Sequence, residues 1–246
     1  MLNKVNGIVI RRVEYGDSHL IVTFLAEHGR KIPVMARNAK KSKKFGYALD
    51  LFYENLFIFS QFKGMGTLNS VDTLNSHYNI RSDIFKLTYA QYIAELIDKA
   101  LEEDDESKFI YRLLKFGLDH IAEGADPAVI GIIVSLKCMP LYGYQPNFDY
   151  CPVDDSTDRS QFTGYSMSLN GVMTKRAMAE DERTLPMSNK SLYFLYLLNN
   201  LPLDKFSSVS ISEDVVKEME SLIFQLYDEF IGVSLKSRRI LEQLTR

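Results

Sequence analysis

The sequence predicts an α+β protein in which a small barrel of five β-strands is followed by an α-helical bundle. Two observations carry this prediction. Residues 1–76 contain short runs rich in β-branched and aromatic residues, separated by glycine and aspartate turns, whereas residues 77–246 place apolar residues at spacings of three and four. The chain has 246 residues and is 46% hydrophobic, which is sufficient for a buried core and more than one folded unit.

Five strands are predicted in the first region. They cover residues 6–15, 18–27, 30–37, 48–62 and 67–74, with Gly16, Asp17 and Gly29 in the turns. Pro33 indicates that the third strand is an edge or carries a bulge, because proline cannot donate a backbone hydrogen bond. Five short antiparallel strands without a helical crossover are typical of the OB barrel, a fold that often binds single-stranded nucleic acid.

Helices are predicted from residue 77 onward. The apolar spacing predicts helices over about 81–103, 107–124, 126–139, 188–200 and 212–232, and Asp126 with Pro127 supplies an N-cap and a first-turn proline. Residues 144 to about 186 show no clear period and are predicted to be an irregular insert. The sequence therefore predicts two domains, 1–76 and 77–246, with the insert in the second.

Positive charge is concentrated in the first third of the chain. Residues 1–75 carry 11 Lys+Arg against 6 Asp+Glu, while the whole chain has a net charge of −3. The densest stretch is residues 37–44, which lie between the third and fourth predicted strands and contain five cations in eight positions. This asymmetry indicates that one part of the protein meets a polyanion.

The basic stretch is either a solvated loop or a nucleic-acid contact. Neighbouring cations on the predicted strands and two adjacent aromatic residues favour contact with DNA. The predicted DNA-binding residues are Arg37, Lys40, Lys41, Lys43, Lys44, Arg11, Arg12, Arg30, Lys31, Lys63, Phe45 and Tyr47. A second basic patch near the C-terminus comprises Lys236, Arg238 and Arg239, either as helix surface or as a contact with DNA or an acidic partner.

Other function classes are disfavoured by what the sequence lacks. No apolar run reaches the roughly 18 residues of a membrane span, and no secretory signal is recognised, so a cytoplasmic protein is expected. Two cysteines are too few for a disulfide scaffold. The sequence contains no GxGxxG, Walker, GxSxG or HExxH motif, which favours a protein that is not an enzyme.

Several segments together resemble the RecO family of bacterial recombination mediators. They are GIVIRRVEYGDSHLIVTFLAEHGR (7–30), RNAKKSKK (37–44), YIAEL (92–96), YGYQPNFDYC (142–151) and LKSRRILEQL (235–244). The resemblance implies an N-terminal OB domain, a helical domain and binding of single- and double-stranded DNA. It also implies annealing of complementary strands, contacts with RecR and with the C-terminal tail of single-stranded-DNA-binding protein, and help in loading RecA.

The resemblance further implies a zinc-binding region, from which this sequence departs. Many family members carry two C-x-x-C pairs, but the matching positions here are Cys151, Asp154, Thr174 and Ala177. A closed tetrahedral zinc site needs four thiolate or imidazole ligands, so we expect no metal and no other cofactor. The insert is predicted to be packed by Phe148, Tyr150, Phe162 and Tyr165 instead.

These expectations converge on a non-enzymatic, monomeric recombination mediator in DNA repair. The alternative is an interaction adaptor whose barrel binds peptide rather than DNA. Binding the C-terminal tail of single-stranded-DNA-binding protein needs an apolar pocket and a cation. The candidate cations on the predicted helices are Arg112, Lys115 and Lys137.

Overall fold

The computed structural model describes residues 1–41, 45–102 and 105–244, and Lys43 and Lys44 of the basic stretch therefore lie outside the described residues. Five strands close into a barrel with the order β1-β2-β3-β5-β4. Their bounds are β1 Leu2–Tyr15, β2 His19–Ala26, β3 Lys31–Ala36, β4 Glu54–Ser60 and β5 Gly66–Asn75. All neighbours pair antiparallel except β3 and β5, which are parallel.

Alternation of side chains gives the barrel its core. Val22, Phe24 and Ala26 of β2 are fully buried, as are Val34 and Ala36 of β3. The ring of Phe24 stacks on that of Phe57 with centroids 3.9 Å apart. These aromatic residues from non-adjacent parts of the sequence close the barrel interior, so the predicted barrel is confirmed.

The fourth strand begins later than predicted. Residues 45–52 form successive turns, in which the backbone N–H of Ala48 donates to Phe45 and that of Asp50 donates to Tyr47. Phe52 then adopts a left-handed φ of 71° and its backbone N–H donates to the carbonyl of Val9 in β1. Phe45 and Leu49 of this segment pack in the barrel core and Phe52 is also buried, so the apolar residues that resemble a strand in the sequence are buried by turns.

Seven α-helices follow the barrel in the described part of the chain. They are α1 Tyr78–Arg81, α2 Ile84–Ala100, α3 Lys108–Glu123, α4 Pro127–Cys138, α5 Asn189–Asn200, α6 Glu213–Leu226 and α7 Lys236–Leu244. The predicted cap of α4 is confirmed, because the Asp126 side chain accepts from the N–H of Ala128 at 2.9 Å. A π-helical turn over Tyr227–Ile231 continues α6.

The chain divides into two compact units. One contains residues 1–124 and 236–246, so α1, α2, α3 and α7 belong with the barrel; the other contains residues 125–235. Division at residue 76 into two domains stays a prediction.

The β2–β3 turn packs closely against the residue that precedes α3. Gly29 has a φ of 92°, and a Cβ at this position would lie 2.0 Å from the Ser107 carbonyl oxygen, so only glycine fits here.

The insert is more regular than predicted. It contains a three-stranded sheet of β6 Phe162–Ser166, β7 Gly171–Thr174 and β8 Thr184–Pro186, with β6 in the centre. Strands of three to five residues are too short to show a period in sequence. Phe148, Phe162 and Tyr165 are buried as predicted, whereas Tyr150 is 46% exposed and does not pack the insert.

No helix in residues 1–41, 45–102 or 105–244 combines the length and the apolar character that crossing a membrane would need.

Candidate nucleic-acid interface

The basic stretch leaves β3 and is held against the β1–β2 turn. Asn38 takes a left-handed φ of 56°, its backbone N–H donates to His19 Nδ1 at 3.0 Å, and its side chain accepts from the Ser18 hydroxyl. The backbone N–H of Lys40 donates to the carbonyl of Ser18. The start of the stretch is therefore ordered by its neighbours rather than extended into solvent.

The cations of this stretch differ in their surroundings. Arg37 and Lys41 are exposed. Lys40 pairs with the Glu14 carboxylate at 2.5 Å, and the hydrogen bond and charge of Lys40 lower the pKa of Glu14. Part of the positive charge of Lys40 is thus already neutralised, which leaves Arg37 and Lys41 as the described loop cations best placed to meet a polyanion.

A groove of about 780 Å³ crosses the outer face of the barrel at the opposite end of β3. It is bordered by β1, β2, β3 and the β4–β5 loop, residues 61–65. Among the described residues that line it, Arg11, Arg30, Lys31 and Lys63 accompany a single carboxylate, Asp98. Apolar surface comes from Val5, Pro33, Phe62 and Met65, while Ile32 and Phe59 border the groove from the barrel core. A basic groove with apolar walls can hold both the phosphates and the bases of a nucleic-acid strand.

Lys31 and Arg12 have structural partners. The amine of Lys31 donates to the carbonyls of Asp98 and Leu101, both at 2.8 Å, and lies 3.2 Å from the Asp98 carboxylate. Lys31 therefore ties the barrel to the C-terminal end of α2, and its assignment as a free DNA contact is corrected. Arg12 lies 3.5 Å from Asp50 in a partly exposed pair.

The structure changes the prediction of which aromatic residues can stack on bases. Phe45 is 5% exposed within the barrel core, so its ring has no face for a base, and its prediction as a stacking residue is wrong. Tyr47 is 79% exposed. Phe62, which the sequence analysis did not select, is 93% exposed at the groove. Its position at the end of the fourth predicted strand, beside Lys63, was the available signal.

The predicted residues form two clusters rather than one. Lys31 begins β3 at the groove, and Arg37 follows the end of the same strand beside the β1–β2 turn. Six residues of extended strand separate the two by about 20 Å. The basic loop and the groove are therefore distinct surfaces of the barrel.

The C-terminal basic patch lies on α7, which packs on α2. The Glu95 carboxylate of α2 accepts from the backbone N–H groups of Lys236 and Ser237 at 3.0 and 2.9 Å. Arg238 pairs with Glu242 one turn later, whereas Lys236 and Arg239 are exposed. Lys236 also lines a cavity of about 480 Å³ with Arg11, Lys99 and Ile240.

The predicted partner-binding lysines are already engaged. Lys115 bridges Glu54 at 2.6 Å and Asp119 at 3.3 Å. Lys137 donates to the Asn199 carbonyl at 2.6 Å, and burial lowers the pKa of its amine. Arg112 is exposed on α3.

The four positions that the family resemblance assigns to zinc ligands do meet in space, but as a hydrogen-bonded cluster. The Thr174 hydroxyl donates to Asp154 at 2.7 Å and accepts from the N–H of Ala177 at 3.2 Å. Buried Cys151 also hydrogen-bonds Asp154. A hydroxyl and a methyl group cannot replace two thiolates, and the described residues contain no cluster of three or more His, Cys, Asp or Glu suited to a metal. These side chains do not fit zinc.

Comparisons with known proteins cover the whole chain. The family model described as "Recombination protein O N terminal" matches residues 1–77, and "Recombination protein O C terminal" matches residues 81–239. The chain is 58% identical over 246 residues to the DNA repair protein RecO of Macrococcus caseolyticus, covering 100% of this chain and 98% of the relative.

The chain belongs to the RecO family of DNA repair proteins. The chain is also similar over its full length to the RecO proteins of two staphylococci. Identity is 41% to that of Staphylococcus epidermidis and 39% to that of Staphylococcus aureus strain MSSA476, over 100% of this chain and 98% and 99% of those proteins. Membership agrees with the closed barrel and the helical region that follows it, and RecO family proteins act in DNA repair as their name states.

Proposed function

We propose that this protein is a non-enzymatic recombination mediator of the bacterial cytoplasm. It binds single- and double-stranded DNA, anneals complementary strands and, as a monomer acting with RecR, helps load RecA onto DNA coated by single-stranded-DNA-binding protein. The observation that carries the proposal is the basic groove on the closed barrel, where Arg11, Arg30 and Lys63 lie beside the pair formed by Lys31 and Asp98. Membership of the RecO family supports DNA as the ligand of that groove.

Electrostatics explains how a chain of net charge −3 can bind a polyanion. Salt screens charges separated by more than about 8–10 Å, so local clusters rather than net charge decide binding at physiological ionic strength. The groove and the basic loop supply two such clusters. Two clusters on one barrel could each hold a strand, which is what annealing requires.

The alternative function is a protein-interaction adaptor whose barrel binds peptide. Exposed apolar residues of the groove, such as Phe62 and Met65, are also suitable for a peptide. The two functions differ in their salt dependence, because each neutralised phosphate of a single strand releases condensed counterions. The affinity for a peptide without dense charge depends only weakly on salt concentration.

The salt slope of binding to single-stranded DNA tests the proposal. Each phosphate contact adds roughly 0.7 to the magnitude of the slope of log affinity against log salt. Replacing Arg37, Lys40, Lys41, Lys43 and Lys44 by alanine should lower that magnitude by about 3.5 if all five contact phosphates. The decrease should be about 2.8 if Lys40 remains with Glu14.

A matched pair of double variants gives the control. Arg37→Ala with Lys41→Ala should lower the slope's magnitude by about 1.4, while Lys175→Ala with Lys190→Ala, on the other compact unit, should leave it unchanged. Fluorescence anisotropy with a labelled oligonucleotide measures both. A five-fold variant that keeps the parent's slope and annealing rate would remove the loop from the interface. Absence of salt-dependent DNA binding by the parent would favour the adaptor.

We also propose that the acidic, apolar C-terminal tail of single-stranded-DNA-binding protein binds the cavity between α2 and α7. Lys99 and Lys236 offer cations for its carboxylates beside Glu95 and Asp98, and Ile240 offers an exposed apolar surface. A labelled tail peptide should bind at tens of micromolar or tighter. Lys236→Glu should weaken that binding at least tenfold, while Lys108→Glu on α3 should not, and equal binding by both variants would contradict this location.

A further inference from the structure

The β4–β5 loop carries a feature that folding does not explain. Phe62 is 93% exposed, the largest exposure of any large hydrophobic side chain among the described residues. Removing an aromatic ring from water is favourable, so a ligand that covers Phe62 at the wall of this basic groove gains binding free energy.

We infer that Phe62 is a stacking platform for one base of single-stranded DNA, whose phosphates lie on the cations of the barrel groove. The inference rests on the proposed DNA-binding function and names the form of DNA that the groove takes. Bases of a duplex are stacked on each other and paired, so their faces are not available to a side chain. A single strand offers every base face, and stacking on an aromatic ring tolerates any sequence.

The loop holds Phe62 in place. Its two ends are joined by the pairing of Ser60 with Thr67, and within it the Gln61 side chain donates to the carbonyl of Gly64. The backbone of Gln61 exchanges hydrogen bonds with both the amine and the carbonyl of Met1, each at 3.1 Å. A ring carried on a fixed backbone loses little entropy when a base stacks on it.

The charges next to the ring suit a nucleotide. Lys63 follows Phe62 directly, and Arg11 and Arg30 are exposed at the same groove. The carboxylate of the groove, Asp98, lies against Lys31 and is partly neutralised by it. A strand can thus place phosphates on exposed cations while one base leaves the backbone path to reach Phe62. In OB barrels, strands 2 and 3 with the β1–β2 and β4–β5 loops form the usual oligonucleotide surface.

A tryptophan substituted for Phe62 gives a direct readout. The chain contains no tryptophan, so Phe62→Trp has a single indole at the proposed contact. An oligothymidine of about 12 nucleotides, within the range that one OB barrel covers, should quench its fluorescence as binding saturates. Tyr78→Trp, at a side chain that is 71% exposed and outside the groove, is the matched control and should not be quenched.

Affinity measurements separate stacking from apolar contact. Phe62→Ala and Phe62→Leu should both weaken oligothymidine binding about 5- to 150-fold, the loss expected for one stacked base, and duplex binding should change less than about twofold. Melting temperatures of these variants should match the parent, because the side chain is exposed. A peptide-binding anchor would instead tolerate leucine.

The outcomes distinguish this inference from the function on which it rests. If the parent binds DNA but the fluorescence of the Phe62→Trp variant is unchanged on saturation and Phe62→Ala keeps the parent's affinity, the stacking role is overturned while the DNA-binding function stands. Equal weakening of duplex and single-strand binding would also overturn the single-strand assignment. If the parent binds no DNA at all, the proposed function fails and this inference fails with it.

Discussion

At the scale of single residues, Thr174 and Asp154 occupy two of the positions that the family resemblance assigns to zinc ligands. The hydrogen bond from Thr174, followed by that from Cys151, lowers the pKa of the Asp154 carboxyl. Through these bonds, the turn around Cys151 is attached to the end of β7, which is the mechanical task a structural zinc performs elsewhere. A lowered carboxyl pKa means that this stabilisation is present at neutral pH and is lost as the pH falls through the folded-state pKa.

We predict that Thr174→Val destabilises the protein while metal removal does not. The substitution keeps the shape of the side chain, which is 3% exposed, but deletes a hydroxyl that makes two hydrogen bonds. The free energy of unfolding should fall by about 1–2 kcal/mol, as measured by chemical denaturation. Chelator treatment of the parent should leave the melting temperature unchanged.

Thr163→Val is the matched control for that substitution. The Thr163 hydroxyl donates to the sulfur of Met178, a weak acceptor, so its loss should have a smaller effect. Elemental analysis that finds about one zinc per chain, together with a lower melting temperature after chelation, would contradict the metal-free assignment.

At the scale of elements, α3 and α1 are joined to the barrel by a polar network. Glu54 at the start of β4 accepts from the Tyr111 hydroxyl at 2.9 Å and from Lys115 at 2.6 Å. Asp119 accepts from Lys115 and from Nε2 of buried His77, whose Nδ1 lies 2.7 Å from the carbonyl of Phe52. Both His77 nitrogens therefore face acceptor oxygens.

The pKa shifts of this network have definite signs. Burial alone would raise the pKa of Asp119, but the His77 hydrogen bond and the Lys115 charge outweigh it and lower the pKa. Burial would lower the pKa of Lys115, but the Glu54 hydrogen bond and the Asp119 charge outweigh it and raise the pKa. The stabilisation from Asp119 is therefore present above its ordinary pKa of 3.8 and is lost as the pH falls through the lower folded-state value.

We predict that Lys115→Met destabilises the protein at pH 7 and that the difference from the parent shrinks as the pH is lowered to about 3. At pH 7 the variant leaves two partly buried carboxylates without this cation, which should lower the free energy of unfolding by about 1–3 kcal/mol after discounting for solvent access. Protonation removes that penalty from the variant and removes the favourable pairing from the parent. Urea denaturation at several pH values measures both effects.

Lys108→Met provides the control, because this lysine is exposed at the first turn of the same helix. Its effect should be within about 0.5 kcal/mol at every pH. If the Lys115→Met difference stays constant from pH 7 to pH 3, the amine contributes through packing of its stem rather than through its charge.

At the scale of the whole molecule, the positive charge and the barrel coincide. The first 75 residues carry the positive excess, and they are also the residues that form the five barrel strands and the loops between them. The barrel's closure brings Arg11, Arg30 and Lys63 to one groove although they come from distant parts of the sequence. The return of α7 to α2 adds Lys236 to the same compact unit.

The sequence by itself predicted the five barrel strands, helices α2 to α6 and the family, but not α1 or α7. Alternation and three-to-four spacing are local properties, so the barrel, the long helices and the Asp126 cap could be predicted from them. The cations could also be located along the chain. The turn segment before β4 and the short strands of the insert could not be predicted, because the apolar residues of a buried turn resemble those of a strand in sequence and brief strands show no period.

Only the tertiary structure decided which of those residues can meet a ligand. Exposure and pairing depend on groups far apart in the chain: Phe45 enters the core, Phe62 stays outside it, and Lys31 is held by carbonyls some 70 residues away. The hydrogen bond from the Ser237 hydroxyl to the Glu95 carboxylate spans 142 residues and joins α7 to α2. No local pattern encodes such contacts, since they result from how the whole chain closes its core and satisfies its buried polar groups.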